Sequence, residues 1–184
     1  MRISGKTTLE QLATIVCDHL MKRGIEAVLT GGAVVTIYSM NEYQSYDLDF
    51  IAHADQRKIR QAMEELGFKR EKTRHFKHPK TEFFVEFPGP PLAIGEKPIT
   101  SWAKRKSKFG TLALLTPSQC VMDRLAAFYH WDDHESLEQA LMVAQRQKID
   151  LPEIENWSAD EGMNEKFAVF RDRLKKRSPN LPSD

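Results

Sequence analysis

The sequence predicts an α+β fold in which strands and helices alternate along the first part of the chain and helices alone follow. Short apolar runs that end at glycine or proline recur up to residue 115, as expected of buried strands. Apolar residues at helical spacing separate these runs and continue beyond residue 117 without them. We therefore expect an α/β domain over residues 1–115, a helical part packed on it over 116–177, and a frayed tail over 178–184.

Composition places the chain among ordinary globular proteins, because 41% of its 184 residues are hydrophobic and 29% are charged. The 27 Lys and Arg residues balance the 26 Asp and Glu residues, so overall charge gives no sign of nucleic-acid or membrane binding. Cys17 and Cys120 fall in apolar helical patterns, which favours buried thiols over a disulfide. Without an apolar stretch of membrane-spanning length or a signal-peptide pattern, a cytoplasmic protein with no membrane partner is expected.

The first part of the chain alternates between helical spacing and short apolar runs. Thr7 or Thr8 is placed to cap the first helix, and Gly24 is placed to end it. The basic stretch KRKSK at 104–108 is typical of a solvated loop. In chain order we predict helix 7–23, strand 25–30, helix 33–40, strand 46–52, helix 55–66, strand 68–70, a hairpin or loop at 72–80, strand 82–87, and short strands 99–102 and 111–115.

The last part of the chain is predicted to be helical. Pro117 suits the first helical turn after Thr116, and Asp132 or Asp133 is placed to cap the helix that follows. Capping explains these aspartates better than a metal site with the neighbouring histidines. The helices are predicted over 117–131, 134–147, 152–156 and 161–176.

Two aspartates in the apolar run at 46–52 indicate a functional site. Asp47 and Asp49 are two residues apart, so a strand places both on one face while Leu48 and Phe50 face the core. Two neighbouring carboxylates repel unless a cation neutralises them, and a divalent metal with oxygen ligands does so. The alternative is an exposed edge with two solvated aspartates. Strands disfavour aspartate and the flanking residues are apolar, so we favour the metal site.

Two further features strengthen this interpretation. Gly31 and Gly32 end one strand and open a helix, where unobstructed backbone amides favour an anion such as phosphate. A glycine pair alone usually marks a turn, but a following Asp-x-Asp strand makes phosphate binding the better interpretation. Glu86, within FFVEF, lies on a later predicted strand, where a buried unpaired acid would be costly. It lies either on an exposed face or beside a metal, and we favour the metal.

These residues resemble a motif of the nucleotidyltransferase superfamily, which includes DNA polymerase beta. The motif has an apolar residue, Gly, Gly or Ser, a spacer, and then Asp, an apolar residue, and Asp or Glu. Here it is matched by LTGG at 29–32 and YDLDF at 46–50, with Glu86 as the third carboxylate. The stretch TPSQCVMDRLAAFYHWDDHESLEQAL is similar to the helical segment of small bacterial nucleotidyltransferases related to AbiEii-type toxins.

The resemblance implies a nucleotidyltransferase-like mixed β-sheet flanked by helices, followed by the helical part. It implies a nucleoside triphosphate (NTP) substrate and two Mg²⁺ ions held by Asp47, Asp49 and Glu86 as catalytic residues, with Gly31 and Gly32 cradling the phosphates. The spacer before Asp47 is longer than in most of the family, and glutamate replaces the commoner aspartate at Glu86. Both departures leave open an inactive copy.

Basic residues are candidates for the same substrate. The stretch at 70–80 holds Lys77, which is a candidate to contact triphosphate or RNA; a solvated basic hairpin is the alternative. His75 and His78 have metal-like spacing, but without cysteine or a further ligand pair a zinc site is not expected. Arg124 is a candidate nucleotide contact on its helix. Adjacent helical residues do not face each other, but either Asp123 or Arg124 could point back to the site. If both basic stretches flank one cleft, they form a landing surface for an acidic substrate.

The sequence therefore supports two main hypotheses. The first is a metal-dependent nucleotidyltransferase that moves a nucleoside monophosphate from an NTP to an RNA or protein acceptor, as a toxin whose partner is an antitoxin. The second is a catalytically inactive protein of the same fold that binds a nucleotide or a partner. Phosphate hydrolysis at the same carboxylates is a third, less favoured because the glycine pair suits a triphosphate.

Overall fold

The structure is a computed structural model that describes residues 3–71 and 75–177. Its helices are α1 (Leu9–Met21), α2 (Gly31–Tyr38), α3 (Gln56–Glu65), α4 (Pro117–Trp131), α5 (His134–Arg146), α6 (Leu151–Asp160) and α7 (Asn164–Arg177). Its strands are β1 (Ala27–Thr30), β2 (Asp47–Ala52), β3 (Lys69–Arg70), β4 (Phe76–Lys77), β5 (Phe84–Glu86), β6 (Ala93–Ile94), β7 (Lys97–Pro98), β8 (Ala103–Ser107) and β9 (Gly110–Leu114).

Seven of these strands form one mixed sheet in the order β3-β4-β5-β2-β1-β9-β8. The β2–β5 and β1–β9 pairs are parallel, and the other pairs are antiparallel. The β6–β7 hairpin stands apart from this sheet. Helices pack on the sheet and continue as α4–α7, so the predicted α+β class with a mixed sheet is confirmed.

The central strands bury one face and leave the other partly open. Along β2 the side chains alternate, with Leu48, Phe50 and Ala52 buried and Asp47 and Asp49 partly exposed. Phe50 stacks on Phe87, the residue after β5, with ring centroids 6.1 Å apart. The alternation is the one predicted from the i, i+2 spacing, and it turns both aspartates away from the main core.

Helix caps follow the sequence signals. Thr8 caps α1 in a capping box with Gln11, and Thr116 caps α4 in the same way with Gln119. Asp133 caps α5, because its Oδ1 atom accepts hydrogen bonds from the backbone amides of Glu135 and Ser136 at 3.0 and 3.1 Å. The sequence left Thr7 or Thr8 and Asp132 or Asp133 as capping residues, and the structure selects Thr8 and Asp133.

The C-terminal helices pack on one another and on the sheet part. Helix α4 contacts α5 and α6, α5 contacts α7, and α2 contacts both α4 and α5. The buried Trp157 of α6 stacks on Tyr129 of α4 with ring centroids 5.5 Å apart. The division into domains at 115/116 stays a prediction, and the tail predicted at 178–184 lies outside the described residues. Within the described parts of the chain, no helix is both long and apolar enough to cross a membrane.

Several predicted elements were wrong or misplaced. The strand predicted at 99–102 is absent, and the basic stretch predicted as a loop instead forms most of β8, at an edge of the sheet. Exposed lysines are a common protection of edge strands against pairing with another chain, which explains why a strand carries them. Helix α2 begins at Gly31 rather than residue 33, α6 is longer than predicted, and the β6–β7 hairpin was missed. Part of the predicted hairpin at 72–80 lies outside the described residues.

Candidate active site

Strand register brings the three predicted carboxylates to one face of the sheet. In the parallel β2–β5 pair, Asp47 lies opposite Phe84 and Asp49 lies opposite Glu86. Thr30, at the end of β1, lies opposite Asp49 on its other side. Residues opposite each other in neighbouring strands point to the same face, so Asp47, Asp49 and Glu86 share it. All three are partly exposed.

Asp49 is the electrostatic centre of this group. Burial raises the pKa of its carboxyl to about 6, and the negative charges of Asp47 and Glu86 add to the rise. Asp123 acts in the same direction, whereas the positive charge of Arg124 opposes it. A cation bound beside Asp49 would therefore remove repulsion that the protein itself does not neutralise.

Gly31 brings the start of α2 directly against Asp49. Its φ is +68°, and a Cβ atom at this position would lie 2.8 Å from the Oδ2 atom of Asp49. Only glycine combines this backbone conformation with such a close approach. Thr30, the N-cap residue of α2, makes no side-chain capping hydrogen bond. The first amides of α2 therefore open beside the carboxylates, where phosphate binding is favoured.

Asp47 is held by a residue that the sequence reasoning missed. The Ser45 hydroxyl donates to the Oδ1 atom of Asp47 and lies 3.2 Å from the backbone oxygen of Asp47. Ser45 also lies beside Gly32, where a Cβ atom would be 3.1 Å from the Ser45 Oγ atom. In the sequence, only the unusual length of the spacer hinted at a role for this segment. Its polar composition by itself predicts no more than a loop.

The carboxylate of Glu86 contacts a histidine. The Nε2 atom of His75 lies against the Oε1 atom of Glu86, and the His75 ring packs on Phe84 with centroids 4.6 Å apart. The sequence reasoning considered His75 only for zinc. Its position beside Glu86 became visible only once β4 was paired with β5.

The residues fit a hard divalent cation in part. Carboxylate oxygens are the ligands that Mg²⁺ prefers, and Asp47 and Asp49 offer two such groups on one strand face. Among the described residues, no group of three His, Cys, Asp or Glu side chains is already arranged to hold a metal ion. Glu86 would have to leave His75 to join the aspartates, so its role as a metal ligand stays a prediction.

A cavity of about 220 Å³ opens next to Asp49. Its polar side is formed by Thr30, Gly31 and Asp49, with Asp123 and Arg124 of α4 completing it. The remaining lining is mostly apolar and comes from Ile51, Pro88, Pro91, Leu92, Ala93, Ile94 and Leu115. The cavity thus joins the carboxylate face to a mostly apolar surface.

Arg124 lines this cavity, but its guanidinium is already paired, and its contact to a nucleotide stays a prediction. Its Nε and Nη2 atoms donate to the Oδ2 atom of Asp123 at 3.0 and 2.5 Å, and Nη1 lies 3.5 Å from the Oε1 atom of Gln139. Burial lowers the pKa of Arg124, but the neighbouring Asp123 outweighs it, so the pKa is raised overall. Both Asp123 and Arg124 line the cavity, and although adjacent helical residues were not expected to face each other, the long side chain of Arg124 folds back onto Asp123.

Lys77 lies on β4 opposite Phe84, two strands from Asp47. Its Nζ atom pairs with the Oε2 atom of Glu71 at 3.1 Å, so the structure does not bring its charge to Asp49. A phosphate contact by Lys77 stays a prediction.

The two basic stretches do not flank one cleft. Strand β3, which begins the first stretch, and β8, which holds most of the second, are the opposite edges of the seven-stranded sheet. Six strand spacings separate them, roughly 29 Å. Arg105 of β8 is also paired with Glu10 of α1 at 3.1 Å. The expected shared landing surface is therefore absent from the part of the chain that the structure describes.

Comparison with known structures identifies the fold. An antigenic nucleotidyltransferase-like protein from Paracoccidioides brasiliensis is similar to this chain with a TM-score of 0.63 and 15% identity, covering 98% of this chain and 93% of that one. This chain has a nucleotidyltransferase-like fold. Two structures of the antibiotic-resistance factor ANT(2'')-Ia, one in complex with adenylyl-2''-tobramycin, give TM-scores of 0.48 and 0.46 at 12% and 13% identity. They cover 93% and 90% of this chain, and 92% and 97% of their own.

No protein-family model and no curated protein matches the sequence. The specific relation to AbiEii-type toxins therefore stays a prediction from sequence resemblance.

Proposed function

We propose that the protein is a metal-dependent nucleotidyltransferase that moves a nucleoside monophosphate from an NTP to an RNA or protein acceptor. The observation that carries the proposal is the surrounding of Asp49. This carboxylate lies in register with Glu86, two residues from Asp47, and against the glycine that opens α2. The nucleotidyltransferase-like fold supports the proposal.

In this proposal Asp47 and Asp49 hold Mg²⁺, with Glu86 as the third ligand of a two-ion site. Bound Mg²⁺ supplies neutralisation of the triphosphate charge and activates the attacking hydroxyl. In the reaction, the acceptor hydroxyl would lose its proton to solvent and its oxygen would bond to the α-phosphorus, while the bond from the α-phosphorus to the bridging oxygen breaks and pyrophosphate leaves.

The remaining roles belong to the protein. The backbone amides at Gly31 and Gly32 bind phosphate oxygens at the start of α2. Arg124 contributes positive charge at the cavity wall, and the mostly apolar lining beyond it offers a surface for the base or the acceptor. Catalysis on this scheme comes from positioning and charge stabilisation.

The biological setting is also part of the proposal. The sequence resemblance to AbiEii-type proteins supports a bacterial toxin that acts in the cytoplasm, with an antitoxin as its partner. Lys77 is retained as a candidate contact to the triphosphate or to RNA after separation from Glu71.

The test is transfer of label from each α-labelled NTP, with Mg²⁺ and total RNA, by wild type and by Asp47→Asn/Asp49→Asn. Asp172→Asn, at an exposed aspartate of α7, is the matched control. We expect label on RNA or on protein with wild type and the control, and none with the double variant. If wild type shows neither transfer of label nor Mg²⁺-dependent NTP binding, the proposal is wrong.

The contact between His75 and Glu86 favours one second candidate, a catalytically inactive protein of the same fold. In that case Glu86 stays with His75 and the protein binds a nucleotide or a partner without turnover. Calorimetry that shows Mg²⁺-dependent NTP binding, together with no transfer to RNA or protein, would select it.

A further inference from the structure

The segment that connects α2 to β2, residues 39–46, folds back onto α2. Ser45 and Tyr43 both lie beside Gly32, where an added Cβ atom would be 3.1 Å from the Ser45 Oγ atom and 3.4 Å from the Tyr43 Cε1 atom. Ser45 is only 5% exposed. Residues of the segment expected from sequence to be a loop, 41–45, are therefore packed against the first turn of α2.

A chain of hydrogen bonds runs from that first turn to Asp47. The Thr36 hydroxyl donates to the backbone oxygen of Gly32 at 3.1 Å and accepts from the backbone amide of Ser45 at 2.9 Å. The Ser45 hydroxyl then donates to the Asp47 carboxylate. Each of these hydrogen bonds joins groups that are buried or partly buried. Buried polar groups are rarely left without a hydrogen-bond partner.

These hydrogen bonds fix the orientation of the Asp47 carboxylate. The Ser45 hydroxyl engages Oδ1, one of the two carboxylate oxygens, and leaves Oδ2 outside this bond. Thr36 fixes the backbone of Ser45 to α2, so the carboxylate is oriented relative to the helix that begins at Gly31. A side chain that is oriented before binding loses less rotamer freedom when a ligand arrives.

We propose that Thr36 and Ser45 are positioning residues, which hold the Asp47 carboxylate in place for cation binding beside the first turn of α2. This inference rests on the proposed function, because it concerns the same site. Residues that orient metal-binding carboxylates typically change metal affinity by about 10- to 100-fold when they are removed.

The first experiment compares Ser45→Ala with Ser39→Ala. Ser39 lies in the same spacer and is 1% exposed, but its hydroxyl contacts only backbone atoms, those of Thr36 and Tyr43. Isothermal calorimetry measures Mn²⁺ binding and Mg²⁺-dependent binding of a non-hydrolysable NTP. We expect cation affinity to fall about tenfold in Ser45→Ala and less than twofold in Ser39→Ala.

The second experiment removes the other hydroxyl. Thr36→Val deletes it at nearly constant shape, and Thr36→Ser restores it. Thr14→Val in α1 is the matched control, because Thr14 is 4% exposed and its hydroxyl likewise donates to the carbonyl four residues earlier, that of Glu10 at 2.7 Å. We expect weaker cation binding with Thr36→Val, recovery with Thr36→Ser, and unchanged binding with Thr14→Val.

The outcomes separate the two proposals. Wild type that binds neither Mn²⁺ nor Mg²⁺–NTP overturns the proposed function and this inference with it. Wild type that binds both, with Ser45→Ala and Thr36→Val binding as well as their controls, overturns the positioning role alone. Circular dichroism checks that each variant is folded, and because the two hydroxyls are removed in separate variants, the test stays decisive if one variant does not fold.

Discussion

The two faces of β2 and β5 show opposite uses of the same strands. On one face Leu48, Phe50 and Val85 are fully buried and contribute apolar packing. On the other face Asp47, Asp49 and Glu86 gather like charges, and burial lifts the Asp49 pKa to about 6. Alternation lets one face stabilise the fold while the other carries a repulsive group of side chains, which is what a binding site for a cation requires.

The apolar face should show the largest loss of stability. Phe50→Ala removes a fully buried ring that stacks on Phe87, and we expect the free energy of unfolding to fall by about 3–5 kcal/mol. Urea unfolding followed by circular dichroism measures it. Tyr46→Ala, one residue before β2 and 51% exposed, serves as the control and should cost about 1 kcal/mol or less. Equal losses for both variants would contradict the difference between the faces.

The carboxylate face should gain stability when its charge is removed. The pKa of Asp49 is raised above its unfolded value of 3.8, so the native state binds this proton more tightly and stability falls as pH rises from about 4 to 6. Without divalent metal, Asp49→Asn should therefore be more stable than wild type by about 2 kcal/mol at pH 8, and the difference should vanish below pH 4.

Urea unfolding in EDTA across this pH range checks the prediction, with Asp172→Asn as the control. The same Asp49→Asn variant should lose any thermal stabilisation by Mg²⁺. A variant that is less stable than wild type at pH 8 would show that Asp49 is not under repulsion.

A comparison of Gly31, at the start of α2, with Gly24 distinguishes the effect of a left-handed backbone from the effect of close contact with Asp49. Gly31 and Gly24 have nearly equal φ values of +68° and +69°, but only at Gly31 would a Cβ atom meet another group, Asp49 Oδ2. Both Ala variants should lose about 1–2 kcal/mol of stability from the left-handed backbone. Only Gly31→Ala should also weaken Mg²⁺-dependent nucleotide binding, measured by calorimetry. Weakening in both variants would argue against the contact with Asp49.

The smallest effect is expected at the edge of the carboxylate face. His75 and Glu86 are both partly exposed, so His75→Ala should change stability by less than about 1 kcal/mol. Releasing Glu86 should leave the Mg²⁺ concentration for half-maximal NTP binding unchanged or lower. His53→Ala, at an exposed histidine next to β2, is the control. A higher Mg²⁺ requirement in His75→Ala alone would mean that the histidine itself supports cation binding.

The site was predicted unevenly from sequence, and the reason is the range of the interactions. Asp47, Asp49 and Gly31 follow from spacing within a few residues, so local reasoning reached them. Ser45 was missed because its role depends on a spacer that folds onto α2, which no periodicity records. The contact of His75 was missed because its partner, Glu86, lies on a different strand.

Local sequence patterns were enough to predict the alternating faces of β2, the glycine pair at the start of α2 and the cap Thr116, because each depends on a few consecutive residues. They narrowed two other caps to Thr7 or Thr8 and to Asp132 or Asp133. Packing of the whole chain was needed to place Asp49 in register with Glu86, to make the basic stretch at 104–108 an edge strand, and to set the two basic stretches at opposite edges. Strand order and register are decided by which distant segments bury their apolar faces together, and that choice belongs to the whole chain.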